Sequence, residues 1–347
     1  MRYKLLGRSG LRVSELALGT MTFGEDWGWG ASKEESQRIF DAFAEAGGNF
    51  IDTAVNYTNG SAEAYVGDFI QKDRDYFVVA TKYTLRDNHN NKRDPNAGGN
   101  HRKRMMQEVE KSLKRLKTDY IDLYYLHMWD YYTPEEEVMR SLDDLVRAGK
   151  VRYLGISDTP AWVISKANML AEWRGWSRFV ANQFPYSLAS RTPERDIIPM
   201  SRSEELAMCV WGILGGGTLT GKYREADATK RYSSASEERL TLSDKVVDLA
   251  KEYGASPAQV AINWTRQRPG HGAPMIPILG ARSLAQLEDN LGALNFALTA
   301  EQVAALDALS PVELGFPHDF LRGETVMDLI YGQTYKQTDN HREFLWR

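Results

Sequence analysis

Eight short apolar runs recur along this 347-residue chain, separated by stretches of helical periodicity. They are Glu15 to Gly19, Asn49 to Asp52, Phe77 to Lys82, Ile121 to His127, Val151 to Ser157, Phe179 to Gln183, Leu206 to Trp211 and Met275 to Gly280. Several are apolar on consecutive residues, which suits strands covered on both faces. The intervening segments carry helix punctuation. Ser32-Lys-Glu-Glu35 reads as a capping box, Ile39, Phe40, Phe43 and Ala44 mark an apolar face, and Gly47-Gly48 ends the helix. Thr133-Pro134-Glu-Glu136 opens another, with Met139, Leu142, Leu145 and Val146 on one side and Gly149 at its close. Thr159-Pro160 repeats the start signal. Eight βα units predict an α/β fold closed as a (β/α)8 barrel of the triosephosphate-isomerase type, with a doubly wound open sheet as the alternative.

The whole chain, 1–347, reads as one barrel domain. Residues 1–14 form a hairpin around Arg8-Ser-Gly10 that caps the bottom, and 15–309 form the barrel. The tail, 310–347, carries Phe316, Phe320, Leu321, Leu329, Phe344 and Trp346, which predicts packing near the active-site face. The Gly- and Ser-bearing stretch 212–240 is long for a loop in a compact domain, and such loops are usually functional or mobile. The segment Arg86 to Arg102 reads either as a lid or as a flexible connection.

Apolar residues make up 42% and charged residues 26%, enough to build a sizeable core. A net charge of −4 gives no general pull towards nucleic acid or an anionic membrane. The single cysteine, Cys209, excludes an intrachain disulfide and a cysteine-built zinc site, and it fits a reducing compartment. Neither the start of the chain nor any later run has the apolar length of a signal peptide or membrane span, so a soluble cytoplasmic protein is expected. The histidines lack metal-ligand spacing: His127 is isolated, and His89, His101, His271, His318 and His341 lie in loop or tail contexts, so no metal is expected. The cationic stretch His101-Arg-Lys-Arg104, continuing through Lys111, Lys114, Arg115 and Lys117, reads as a solvated outer helix face. Gly216 to Tyr223 nearly spells a P-loop, but Tyr223 stands where a hydroxyl of Ser or Thr must bind Mg²⁺. No Gly-x-Gly-x-x-Gly follows the first strand, which argues against a Rossmann dehydrogenase.

Asp52, Lys82 and His127 each end a strand-like run, and Tyr57 follows Asp52 closely. Parallel barrels assemble their chemistry from the C-terminal ends of different strands. A free tyrosine titrates near pH 10, too high for efficient proton exchange at neutral pH, and a lysine beside it favours the phenolate. Lys82 is therefore expected to lower the pKa of Tyr57, with Asp52 as the counter-charge and His127 as a hydrogen-bond donor to a carbonyl. An ion pair that simply plugs the barrel is the competing reading.

These residues sit in recognisable contexts: Leu-Gly-Thr-Met (18 to 21), Ile-Asp-Thr-Ala-Val-Asn-Tyr (51 to 57), Ala-Thr-Lys (80 to 82), Asp-Leu-Tyr-Tyr-Leu-His (122 to 127), Gly-Lys-Val-Arg-Tyr-Leu-Gly-Ile-Ser (149 to 157), Asn-Gln-Phe-Pro-Tyr (182 to 186) and Gly-Ala-Arg-Ser (280 to 283). With them the chain resembles the aldo-keto reductases from its hairpin to about Leu309, in particular bacterial members similar to aryl-alcohol dehydrogenases and potassium-channel β subunits. The resemblance implies NADPH-dependent reduction of an aldehyde or ketone, with Tyr57 as proton donor, Lys82 and Asp52 tuning it and His127 orienting the carbonyl. A nucleotide-occupied regulatory sensor is the alternative. The same resemblance places Gly19, Thr20, Met21 and Asp52 beside the cofactor, and Ser157, Asp158 and Gln183 at the nicotinamide carboxamide. Asp158 stands where relatives commonly carry Asn. Trp211 falls at a stacking position, although an ordinary core Trp is equally compatible with the sequence. Gly212, Leu214, Gly216, Thr220, Gly221 and Lys222 would lie along the pyrophosphate, where glycines permit close backbone approach. Gly280, Arg282, Gln286 and Asn290 match the adenosine end, with Arg282 as candidate for the 2′-phosphate and Gln286 replacing a second cation. Substrate contacts are expected from Trp27, Trp29, Tyr83 and Trp129, with Tyr131 and Tyr132 nearby, a rim that suits a bulky aromatic carbonyl or a stacked sugar. The expected partner is a small carbonyl compound, with neither nucleic acid nor membrane; self-association is left open.

Overall fold

The structure is a computed structural model that describes residues 1–86, 93–225, 234–269 and 271–339. Strands β1 (Tyr3–Leu5) and β2 (Arg12–Ser14) form the expected antiparallel hairpin. The barrel strands are β3 (Ala17–Gly19), β4 (Phe50–Asp52), β5 (Val78–Tyr83), β6 (Ile121–Leu126), β7 (Val151–Ser157), β8 (Phe179–Pro185), β9 (Ala207–Trp211) and β10 (Met275–Gly280). Each pairs in parallel with its neighbour and β10 closes on β3, so the sheet is a closed eight-stranded barrel and the open-sheet alternative falls.

Helices α1 (Lys33–Glu45), α2 (Ser61–Phe69), α3 (Arg102–Leu116), α4 (Glu135–Arg147), α5 (Ala161–Arg174) and α6 (Ile197–Ser203) cover the first strands. Two helices, α7 (Glu237–Tyr253) and α8 (Pro257–Arg266), separate β9 from β10. After β10 come α9 (Leu284–Leu291), α10 (Ala300–Leu309), α11 (His318–Leu321) and α12 (Glu324–Tyr331). The start signals at Pro134 and Pro160 immediately precede α4 and α5. The capping box at α1 is half made: Ser32 accepts the Glu35 N–H at 3.3 Å, but the Glu35 carboxylate accepts the Leu284 N–H at 2.7 Å instead of turning back.

Two apolar layers hold the barrel. The outer one, between strands and helices, includes Leu18, Ile51, Val79, Tyr83, Tyr124, Leu126, Phe184 and Val210. The inner one includes Ala17, Phe50, Val78, Ala80, Leu123, Tyr125, Ala181, Ala207, Cys209, Ile276 and Ile278, with Leu6 and Val13 of the hairpin. Gly7 lets the hairpin seat against the barrel floor: a Cβ there would lie 2.2 Å from the Val180 carbonyl oxygen and 2.6 Å from that of Glu205.

The tail departs from expectation. Arg191 donates to the Ser310 carbonyl at 2.9 Å and Arg195 to that of Glu313 at 2.9 Å, which lays its first residues over the loop after β8. Beyond them α11 and α12 bury no side chain, and Phe316 and Leu329 are 85% and 81% exposed. Hydrophobicity alone does not supply a partner within the chain, so the anchors Phe316, Phe320, Leu321 and Leu329 do not pack as predicted. Phe344, Trp346, His89 and His341 lie outside the described residues, as do parts of the 86–102 and 212–240 segments. Within the described part of the latter, Gly215–Thr220 and Lys222–Arg224 form tight turns and α7 begins at Glu237. Among the described residues no helix is long and apolar enough to cross a membrane.

Candidate active site

Side chains in a strand alternate between faces. Each inner-layer apolar residue near the top of a strand is therefore followed, two positions on, by a side chain facing the barrel mouth. Phe50 leads to Asp52, Ala80 to Lys82, Tyr125 to His127, Ala181 to Gln183 and Cys209 to Trp211. The candidate site is the polar top layer of the barrel core.

Lys82 is fully buried and all three of its N–H donors are used. Its Nζ donates to Asp52 Oδ2 at 2.7 Å, to the Thr53 carbonyl at 2.8 Å and to the Tyr57 hydroxyl at 3.2 Å. Gln183 Nε2 donates to the other Asp52 oxygen at 2.8 Å. Burial opposes the charge on Lys82, but the Asp52 carboxylate and Tyr57 outweigh it and its pKa rises. Tyr57 behaves differently from expectation: burial of its hydroxyl exceeds the pull of Lys82, and its pKa rises. Tyr57 is thus a phenol at neutral pH, holding a proton beside an ammonium. Burial, reinforced by the Lys82 charge, pushes His127 well below the usual histidine range. His127 is neutral, with its ring 6.1 Å from that of Tyr57 and roughly perpendicular. Its buried Nδ1 has no partner among the described residues.

Tyr57 is held by a turn that sequence reasoning passed over. Thr58 and Asn59 adopt left-handed φ values of 41° and 55°. The Thr58 hydroxyl donates to the Phe23 carbonyl at 2.5 Å, and Asn59 accepts the Trp27 indole N–H at 3.3 Å. This ties the loop after β3 to the one that carries Tyr57. The dipeptide Asn59-Gly60 was the available signal.

Ser157 and Gln183 are buried at the mouth, as expected, with Gln183 already engaged by Asp52. Thr20 donates to the Asp52 carbonyl at 3.0 Å, bracing β4 at its end. Trp211 is 40% exposed, which removes the core-Trp reading, and it stands close enough to Asp158 to hold that carboxyl's pKa down. The Asp158 carboxyl is pushed up to about 6 by burial, against the opposing pull of Trp211 and Lys82. Gly212, Leu214, Gly216, Thr220 and Gly221 belong to the turns after β9, where Lys222 folds so closely over Gly217 that a Cβ there would lie 2.7 Å from its Nζ. Burial lowers the Lys222 pKa and the Arg282 charge lowers it further, so the two cations stand within each other's field, one in the turns after β9 and one just after β10. Gln286 accepts the Arg282 backbone N–H at 2.9 Å and Asn290 donates to the Gly280 carbonyl at 3.4 Å, both bracing the turn after β10.

Around the mouth, Trp27 and Trp29 lie 5.6 Å apart, Trp129 is partly buried and Tyr131 is 71% exposed. Tyr83 is corrected: alternation turns it away from Lys82 to the helix side, where it is fully buried and stacks on Tyr124 at 5.4 Å. It cannot line a substrate pocket in this arrangement. The cationic stretch on α3 is paired as a structural face, Arg104 and Lys111 with Glu108, and Arg115 with Glu63.

A closed parallel barrel with a phenol, a buried ammonium–carboxylate pair and a neutral imidazole at its C-terminal mouth defines a barrel oxidoreductase. The sequence matches the model of the aldo/keto reductase family over residues 15–311, and the chain belongs to that family. It is 39% identical over 326 residues to norsolorinic acid reductase of Aspergillus flavus, covering 91% of this chain and 83% of that one. Norsolorinic acid reductase B of Dothistroma septosporum is 41% identical over 337 residues, covering 93% and 85%. An aryl-alcohol dehydrogenase of Pestalotiopsis microspora is 39% identical over 333 residues, covering 92% and 85%. These relatives are fungal, which corrects the bacterial comparison, and their reductase and dehydrogenase names do not favour the sensor reading.

Proposed function

We propose that the protein reduces an aromatic aldehyde or ketone to the alcohol with NADPH. The observation that carries this reading is the Tyr57 hydroxyl 3.2 Å from a buried ammonium that Asp52 holds in place, beside a neutral imidazole. When bound, a reduced nicotinamide supplies the hydride. Tyr57 gives its hydroxyl proton to the carbonyl oxygen, and Lys82 stabilises the phenolate left behind, so the charge that forms meets a partner already oriented. Asp52 and Gln183 keep that partner from moving. His127, neutral in its buried place, donates a hydrogen bond to the same oxygen and leaves proton delivery to Tyr57. A proton from solvent restores the phenol.

The residues fit an anionic nucleotide. Lys222 and Arg282 stand within each other's field, and the turns Gly215–Thr220 and Lys222–Arg224 bring backbone close to the mouth. Arg282 is proposed to grip the 2′-phosphate, with Lys222 on the pyrophosphate. The aromatic rim of Trp27, Trp29, Trp129 and Tyr131 suits the aryl substrate class named for the Pestalotiopsis relative. A cytoplasmic setting is part of the proposal, supported by the single buried thiol of Cys209. The test is to titrate NADPH by fluorescence and then follow its oxidation with an aryl aldehyde panel. Nucleotide binding with steady turnover supports the reading; binding without turnover on any aldehyde or ketone refutes carbonyl reduction.

A further inference from the structure

Lys82 and His127 come from neighbouring strands, β5 and β6, whose ladder stops with Tyr83 opposite Leu126. Just past it, Thr84 leaves the strand with a φ of 88°. Glycine adopts that conformation freely. A β-branched residue adopts it only where its surroundings hold it, and such strain gathers at functional sites. The Thr84 carbonyl accepts the Gly99 N–H at 2.9 Å. Its hydroxyl donates to Asn100 Oδ1 at 2.8 Å and accepts the His127 N–H at 3.3 Å. Thr84 is 5% exposed and Asn100 is fully buried, so water is a poor substitute for either partner.

Asn100 carries the connection on to the loop beyond His127. Its backbone N–H donates to Asp130 Oδ2 at 2.7 Å, and Asp130 stands three residues past His127. The Asp130 carboxylate also accepts the Tyr132 and Thr133 N–H groups, each at 2.9 Å, and the Thr133 hydroxyl at 2.8 Å. The His127 loop is therefore gripped at two points, by Thr84 at the His127 N–H and by Asn100 at Asp130, and the Thr84 hydroxyl joins the two grips. The ring itself is held by less. Its buried Nδ1 has no partner among the described residues, and the ring of Tyr57 is 6.1 Å away. The backbone largely sets where the imidazole stands. We infer that Thr84 is a positioning residue, whose hydroxyl fixes the place of His127 beside Tyr57 and Lys82 by tying the His127 N–H through Asn100 to Asp130. This rests on the carbonyl-reduction reading given above.

The test compares Thr84→Val, which keeps the β-branched shape and removes the hydroxyl, with Thr84→Ser, which keeps the hydroxyl. Thr84→Val should lower kcat/KM for an aryl aldehyde about ten- to a hundred-fold, the loss that a misplacement of up to about 1 Å produces. The NADPH dissociation constant should stay within about two-fold, and Thr84→Ser should bring kcat/KM back to within about three-fold of wild type. The His127 ring resonance, identified as the histidine signal lost in His127→Gln, gives a readout that needs no substrate. It should move in Thr84→Val and return towards wild type in Thr84→Ser. A ring signal that ignores the hydroxyl overturns the inference, whatever kcat/KM does. Loss of nucleotide binding in Thr84→Val overturns it too, since Thr84 then supports the whole barrel, and so does a Thr84→Ser no better than Thr84→Val. If the wild type turns over no aldehyde or ketone while the ring signal follows the hydroxyl, the reduction reading falls and the positioning of His127 stands.

Discussion

Removing Lys82 should damage the fold as well as the chemistry, and the pair it forms with Asp52 sets how much. Both side chains are 4% exposed or less, and their contact is 2.7 Å. In Lys82→Met the Asp52 Oδ2 loses its partner while Oδ1 keeps the Gln183 N–H. Breaking a buried pair from one side costs about 3–5 kcal/mol. The same logic strands the ammonium in Asp52→Asn. The double variant removes both charges, and the amide introduced at position 52 can still accept from Gln183. Its stability should therefore return to within about 1–2 kcal/mol of wild type. Urea unfolding at pH 7 of the four proteins, with NADPH turnover in parallel, measures this. The expected pattern is two large single losses, a small double loss and no activity in Lys82→Met or the double variant. Additive losses, or a stable and active Lys82→Met, refute the pairing and the role given to the ammonium.

Tyr57→Phe keeps the ring and removes only the proton, so kcat for carbonyl reduction should collapse while the nucleotide dissociation constant stays unchanged; appreciable turnover at neutral pH would show another acid. Arg282→Ala should weaken NADPH about ten- to a hundred-fold, as expected for one charged hydrogen bond, and leave NADH nearly untouched, with equal losses marking a structural role. Asp158 titrates at about 6 in the fold against an ordinary 3.8, so the fold loses stability as pH rises through that interval and holds it in full below. Asp158→Asn should therefore be more stable than wild type by up to about 2–3 kcal/mol at pH 7.5 and by little at pH 3.5, read as the difference between two urea curves.

What was legible in the sequence was whatever followed from period. Consecutive apolar residues marked strands buried on both faces, and the eight barrel strands appear within two residues of the runs that announced them. Asp52, Lys82 and His127 were legible for the same reason: each is the first polar side chain in phase with an apolar inner layer, and a polar group in that phase is wasted unless it meets others at the mouth. Adjacency in sequence was a poorer guide. Tyr83 was assigned to the site for standing next to Lys82, yet one step along a strand is a change of face, and it packs among the helices. Asp158 is one step past Ser157 and leaves extended backbone altogether, with a left-handed φ of 40°, so strand alternation does not set its direction. No periodicity announces such a residue. The sign of the Tyr57 shift was out of reach for another reason: the lysine was readable, but the depth at which the hydroxyl sits depends on Thr58, Asn59 and Phe23 closing a turn around it. The tail failed on the same ground, since exposed Phe316 and Leu329 have the composition of core residues and lack only neighbours. Pattern fixes which face a side chain takes. How deeply it is buried, and therefore its charge state, is decided by contacts between segments far apart in the chain, and the Tyr57 phenol, the His127 imidazole and the Asp158 carboxyl all depend on that second quantity.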